Sequence, residues 1–326
     1  MVKALIVHGG AGAWRLRPGV EKSIEAARTC AKRGWEVLEA GGSALDAVVE
    51  AVKCMEDSGY LNAGYGSVLN LLGERELDAG LMTSSGLLGA VAGVKATRNP
   101  ILLARLVAEK TPHVLLAGEG ADRLAVLSGL PPLPPPPQHV VERYREALKK
   151  LVEEEPADSY FKGIRGFVVN NKAYYELVKS MAAAFDTVGA VAVDDSGLLA
   201  SATSTGGVIL KLPGRVGDTP IPGAGFYATS NIACSATGIG EYIIRAMPCM
   251  RLDLEYSVSG SLEEALARVL EHVNRAVGTN TMGFIAVDKK GRVGYAYNTE
   301  AMLVAHVVDG EARAYLKPEP RVAVLS

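Results

Sequence analysis

The chain has 326 residues, and its 34 basic and 36 acidic side chains leave a formal charge of −2. No Lys/Arg-rich run occurs, so the electrostatic footprint of a nucleic-acid binder is missing. The apolar run at the N-terminus is broken by glycines too early for a signal peptide or a membrane span, and the expected setting is cytoplasmic.

Ala4–His8 reads as a short strand running into Gly9-Gly10-Ala11-Gly12. Val20–Ala40 is an amphipathic helix that ends at Gly41-Gly42. A second helix starts at Ser43, an N-cap with Asp46 three residues on, and places Leu45, Val48, Val49, Val52 and Met55 at helical spacing. Cys30 and Cys54 lie in these apolar patterns and read as small core residues, because disulfides are not expected in a large chain without a secretory signal. Asn62–Ser67 is a glycine-rich loop. Strands are expected near Ser67–Leu71, Leu77–Thr83 and Leu87–Val94, then helices at Pro100–Glu109 and Gly120–Leu127.

Four consecutive prolines, Pro134–Pro137, rule out helix or central strand. From about 131 to 163 the chain reads as a Pro-rich and charged surface linker, with a solvated helix over Val141–Glu155. Beyond it, Thr187–Val193 and Leu198–Thr205 are strands joined by the turn Asp194-Asp195-Ser196-Gly197. Gly240–Met250 and Ser261–Val277 are helices, the second with a capping box formed by Ser261 and Glu264. Four late strands are expected at Met282–Val287, Val293–Tyr297, Leu303–Val308 and Ala312–Leu316. The pattern points to antiparallel sheet covered by helices, a layered α/β fold.

Two false leads fall away. The glycines after the first strand lack the third member of a dinucleotide fingerprint, Arg15 standing in its place. The five histidines are scattered without the pairing of a transition-metal site.

Chemistry concentrates between Phe185 and Glu241. This stretch holds Asp186-Thr187-Val-Gly-Ala-Val, Ala202-Thr-Ser-Thr205-Gly-Gly207, Gly214-Arg215-Val-Gly-Asp218-Thr-Pro and Cys234-Ser-Ala-Thr237-Gly238-Ile-Gly-Glu241. Singly, each has a bland explanation: threonine is common in strands, and Gly-Asp-Thr-Pro is a turn. Together they resemble the plant-type asparaginase and isoaspartyl peptidase family of N-terminal-nucleophile hydrolases. His8-Gly-Gly-Ala-Gly12, Leu61-Asn-Ala-Gly-Tyr-Gly-Ser67 and Glu76-Leu-Asp-Ala79 are similar to further signatures of that family, in the same order.

The resemblance implies a four-layer αββα sandwich and self-cleavage between Asp186 and Thr187. Residues 1–186 and 187–326 would then be two fragments of one folded domain, paired as a homodimer of cleaved units. It implies that Thr187 is the nucleophile, Thr205 its hydrogen-bonding neighbour, and Thr237 with Gly238 the oxyanion hole. Arg215 would take the substrate α-carboxylate and Asp218 the α-ammonium. The loop at Asn62 would wrap a structural sodium ion, and no cofactor is required for the chemistry. The physical logic is that a hydroxyl needs a base, and an α-amine freed on the same residue titrates at about 7.7–8.0, close to working pH.

The expected substrates are small: L-asparagine and β-aspartyl (isoaspartyl) dipeptides. One position departs from the pattern. Asparaginases of the family usually carry glycine before the nucleophile, whereas aspartate there resembles the glycosylasparaginases and suggests a part in self-cleavage. Cleavage of sugar–asparagine amides and a catalytically silent binding protein are the alternatives.

Overall fold

The structure is a computed structural model that describes residues 2–14, 19–153, 159–171, 187–308 and 310–325. Asp186 lies outside the described residues. The first half runs β1 (Ala4–Gly12), α1 (Val20–Glu39), α2 (Ala44–Asp57), β2 (Leu77–Thr83), β3 (Leu88–Val94), α3 (Pro100–Lys110), β4 (Leu115–Ala117) and α4 (Gly118–Leu127). Then come α5 (Gln138–Glu153), α6 (Ser159–Asn170), β5 (Thr187–Val193), β6 (Leu199–Thr205), β7 (Phe226–Ala228) and β8 (Ile232–Gly238). The chain ends with α7 (Gly240–Ala246), α8 (Pro248–Ser259), α9 (Leu262–Val277), β9 (Met282–Asp288), β10 (Val293–Tyr297), β11 (Ala301–Val308), β12 (Glu311–Leu316) and β13 (Val322–Leu325).

The strands form two sheets. One has eight strands in the order β12-β11-β1-β5-β6-β2-β3-β4, and the other five in the order β13-β10-β9-β8-β7. All pairings are antiparallel except β3–β4, which makes the larger sheet mixed.

Side chains alternate along a strand, so burial partners show which way each residue points. In β5, Val188, Ala190 and Ala192 join α1–α4 in one apolar cluster, whereas Val191 and Val193 join residues of the five-stranded sheet in another. Thr187 shares the parity of Val191 and so lies on the face toward the other sheet. In β8, Cys234 and Ala236 pack with the helices α7–α9, while Ala233 packs toward the larger sheet. Thr237 therefore lies on the facing surface as well. The same parity holds for Thr205 on β6 and His8 on β1, whose neighbours Leu199 and Ile6 belong to the inter-sheet cluster.

Local signals account for the helix starts. Ser43 caps α2 as expected, and Asp46 completes a capping box with reciprocal bonds of 3.1 and 3.4 Å, whereas at α9 only Ser261 accepts from Glu264 N, at 3.3 Å. Replacing such a cap costs about 1 kcal/mol. The turn residue Asp194 adds a tertiary bond, accepting from Ala44 N at 2.8 Å.

Three expectations need correction. Ser67–Leu71 is buried but forms no strand, because Asn70 Oδ1 accepts from Leu72 N and Glu74 N and turns the chain. Gly240–Met250 is two helices, since a residue before proline avoids the helical region and Met247 takes a left-handed conformation (φ 48°) before Pro248. Cys30 and Cys54 are joined in a disulfide, with Cα atoms 5.4 Å apart, that staples α1 to α2. The prior from redox compartment failed because packing of these two helices brings the residues within bonding reach. Closing a loop with a sequence separation of 24 is worth about 3 kcal/mol. Cys54→Ser should therefore lower the thermal midpoint, and added reductant should lower the wild-type midpoint equally but leave the variant unmoved.

The stretch 131–163 contains α5, and only one side of it is solvated. Val140, Tyr144, Leu148 and Leu151 pack on Val68, Leu69, Leu71, Ile209 and Leu210. The helix thus covers the segments that lead into and out of the threonine cluster.

Candidate active site

The β5–β6 ladder sets Thr187 directly opposite Thr205, and their hydroxyls lie 3.1 Å apart. Both residues are buried. Thr205 Oγ1 also accepts from Gly207 N at 2.9 Å and from Asn62 Nδ2 at 3.5 Å. Either hydroxyl of the pair can donate, and when Thr205 does so its proton points at Thr187 Oγ1. Such a donor favours an oxyanion on Thr187 over a neutral hydroxyl.

Asn62 locks this arrangement. Its Nδ2 donates to Gly207 O at 2.8 Å and its Oδ1 accepts from Val68 N at 2.9 Å, so the side chain is a brace between loops. Beneath the same strand lies Glu56, fully buried. Its carboxylate accepts from Ser204 Oγ at 2.7 Å, Ile101 N at 3.0 Å and Asn99 Nδ2 at 3.1 Å. Burial pushes the Glu56 carboxyl up to about 8 in spite of those donors.

Arg215 follows on the next loop. It grips Glu241 by two bonds, Nε to Oε1 at 2.9 Å and Nη2 to Oε2 at 2.8 Å. Glycines clear its path. A Cβ on Gly217 would stand 2.7 Å from Nη1, one on Gly240 2.7 Å from Nη2, and one on Gly207 3.3 Å from Nη1. Burial pushes Glu241 up, but the guanidinium more than offsets it and holds the carboxyl below its ordinary value.

Asp218 is buried with no partner for Oδ2 among the described residues. Burial raises its carboxyl to about 7, the charge of Arg215 pulling the other way. A buried acceptor left open in this manner is a place for a donor from outside the chain. Thr237 Oγ1 accepts from Ala11 N at 3.3 Å, linking the end of β8 to the glycine run of β1. Gly238 takes φ 143°, and a Cβ there would stand 2.3 Å from Thr281 O, so only glycine fits.

The structure thus brings Thr187, Thr205 and Asn62 into one hydrogen-bonded group, and it sets Arg215 against Gly207 two residues from Thr205. Thr237 and Gly238 stand at the end of the facing strand β8, on the opposite sheet. Sequence reasoning quoted Glu241 in a motif without a role, although a carboxylate closing a glycine-rich run is a visible signal. Asp78 stood in a quoted signature without a role, and Glu56 and Lys211 had no such signal, since their burial is a tertiary property. Lys211 is buried and donates to Glu76 O at 2.9 Å. A cleft of about 460 Å³ lies beside Gly214 and Val216, lined also by Glu76, Lys95 and Asp122, but none of the threonines lines it.

The Asn62 loop offers oxygen donors only. Carbonyls of Gly59, Tyr60, Leu61, Ala63, Gly64 and Tyr65 accept hydrogen bonds from within the protein, and Ser67 Oγ is buried without a partner among the described residues. This donor set suits a hard cation and not a transition metal.

The sequence profile of the asparaginase family matches residues 1–316. A plant-type L-asparaginase of Pyrobaculum calidifontis is 43% identical over 314 residues, covering 96% of this chain and 99% of that one. An isoaspartyl peptidase of Escherichia coli is 42% identical over 93% of this chain and 92% of its own length. An isoaspartyl peptidase/L-asparaginase of Bos taurus is 40% identical over 95% of both.

Proposed function

Since the chain belongs to the asparaginase family, we propose that it is an amidohydrolase that cleaves itself before Thr187 and then hydrolyses L-asparagine and isoaspartyl dipeptides. The observation that carries this reading is the Thr187–Thr205 hydroxyl pair at 3.1 Å on the inner face of β5. Cleavage at 186/187 gives Thr187 a free amine, which serves as base for its own hydroxyl. The hydroxyl attacks the side-chain amide carbonyl, and ammonia or an amino acid leaves. Water then releases aspartate from the ester.

Thr237 Oγ1 and Gly238 N–H take the oxyanion, a donor pair of which each member is worth on the order of 3 kcal/mol. Nη1 of Arg215 binds the α-carboxylate, and the open oxygen of Asp218 takes the α-ammonium. The fold follows the same reading: helices on the outside and two sheets facing each other make a four-layer αββα sandwich. Fragments 1–186 and 187–326 stay one body, because the order β1-β5-β6-β2 interleaves strands of both. A sodium ion on the main-chain oxygens of the Asn62 loop would stiffen it without entering the chemistry. Pairing into a homodimer belongs to the same proposal and is checked by light scattering.

Intact mass tests the first step: a 34.2 kDa chain should give way to two fragments, the second beginning at Thr187. Parallel assays with asparagine, β-aspartyl-leucine and a glycosyl-asparagine test the second. Turnover of the glycosyl compound alone would put the sugar–amide reading in its place.

The Asp218 carboxyl sets a pH dependence. Protonated Asp218 cannot hold an ammonium, and its value in the free enzyme is about 7. kcat/KM for asparagine should therefore fall as pH drops through that value, mainly through a rising KM. Asp218→Asn should have a high KM that no longer depends on pH in this range.

A further inference from the structure

His8 and Ser235 form a buried pair that the reaction above leaves without a task. His8 Nε2 and Ser235 Oγ are 2.9 Å apart, the first on β1 and the second on β8, so the bond spans the two sheets. Neither residue is exposed. The fold clears space for them at one position. A Cβ on Gly189 would stand 2.1 Å from Ser235 Oγ and 2.5 Å from His8 Nε2. Gly189 is two residues after Thr187 on the same face of β5, so the imidazole lies across bare backbone beside the nucleophile.

The ladder explains why a side chain is needed there. β1 pairs with β5 from Ala4–Val193 to His8–Gly189 and stops two residues short of Thr187. At the same point β1 bulges in its pairing with β11, between His8 and Gly10, with Gly10 at φ 118°. On the β1 side, the main chain of Thr187 has lost its strand neighbour. On the same face of β1 stands the His8 ring, whose Nδ1 is buried without a hydrogen-bond partner among the described residues.

We propose that His8 is a positioning residue for Thr187: Ser235 fixes the ring through Nε2, and the Nδ1–H holds the Thr187 main-chain carbonyl where the β1 ladder gives out. The proposal rests on the reading of Thr187 as nucleophile and base. The carbonyl, Cα, amine and hydroxyl of one residue turn together, so anchoring the carbonyl fixes the angle at which amine and hydroxyl meet the substrate. A loose carbonyl lets the terminus rotate and lowers the fraction of reactive geometry. The ring can do this only while neutral, and burial holds His8 down to about 3, with the Thr187 main chain pulling weakly the other way.

The two amide side chains split the roles. Asn places its NH2 near the position of Nδ1, and Gln near that of Nε2. In full-length protein, His8→Gln should lose at least about tenfold in the rate of fragment formation and in kcat, with KM within about twofold. His8→Asn should recover most of that loss. Ser235→Ala, which frees the ring, should fall between them. If Gln outperforms Asn, or both lose equally with a matching rise in KM, the pair is only structural and the proposal is overturned. Should either variant fail to fold, 15N-histidine spectra of the wild type decide. The His8 proton is expected on Nδ1 from about pH 5 to 8, and a proton on Nε2 overturns the proposal. A wild-type chain that never cuts before Thr187 would refute the nucleophile reading itself, a different outcome from normal cleavage in His8→Gln.

Discussion

Thr187→Ala will leave the chain whole at 34.2 kDa and without amidase activity. The substitution deletes one hydroxyl and one methyl group from a buried position whose hydrogen bond to Thr205 is replaceable by a small local shift. Its cost in stability is therefore about 1 kcal/mol. Its cost in chemistry is total for the covalent route, because on the proposed mechanism the same oxygen cuts the chain and attacks the substrate. A loss of at least about three orders of magnitude is expected, as for other activated nucleophiles. Thr187→Ser separates the two effects. It keeps the hydroxyl, should still cut, and should retain measurable kcat. A fully cut Ala variant would mean that another group performs the cleavage.

Arg215 carries the second large effect. Replacing it by Met removes the cation from between Glu241 and Asp218, and the loss acts in two ways. In the free protein, Glu241 loses a two-bond partner at 2.8–2.9 Å, and the Asp218 carboxyl, already near 7, rises further. Glu241 is partly open to water, so screening keeps the stability loss to about 1 kcal/mol or less. In the complex, the substrate carboxylate loses its counter-charge in a buried site, worth about 3 kcal/mol, or two orders of magnitude in kcat/KM. The change should sit mainly in KM. Arg215→Lys should recover little, because one ammonium cannot hold Glu241 by two bonds and still present a third donor at Gly207. An unchanged KM in Arg215→Met would remove Arg215 from substrate binding.

Much of the candidate site was legible because its parts are local. Thr187, Thr205, Arg215 and Asp218 stand in glycine-rich motifs, and the capping box at Ser43 specifies its helix start from four consecutive positions. The elements that escaped depend on partners distant in sequence. β8 was invisible as a strand because Cys234, Ser235 and Thr237 lack the β-branched run that marks β5, yet it supplies half of the facing surface. The inward and outward faces of β5 could not be told apart, since all seven residues are buried and alternation carries no contrast. The same holds for Cys30 and Cys54: their spacing fits a core face equally well, and only the pairing of α1 with α2 makes them a bond.

The interleaved order β1-β5-β6-β2 has a consequence for the life of the mature enzyme. The disulfide joins Cys30 to Cys54, both upstream of the scissile bond, so no covalent link would connect the fragments after cutting. The uncut chain can refold by itself at any dilution. The cut enzyme, once unfolded, must find its other half, and recovery becomes a bimolecular event that slows as protein is diluted. Maturation by that cut would therefore turn a reversible fold into one protected chiefly by its rate of opening, and heat inactivation of the cut form should be governed by that rate.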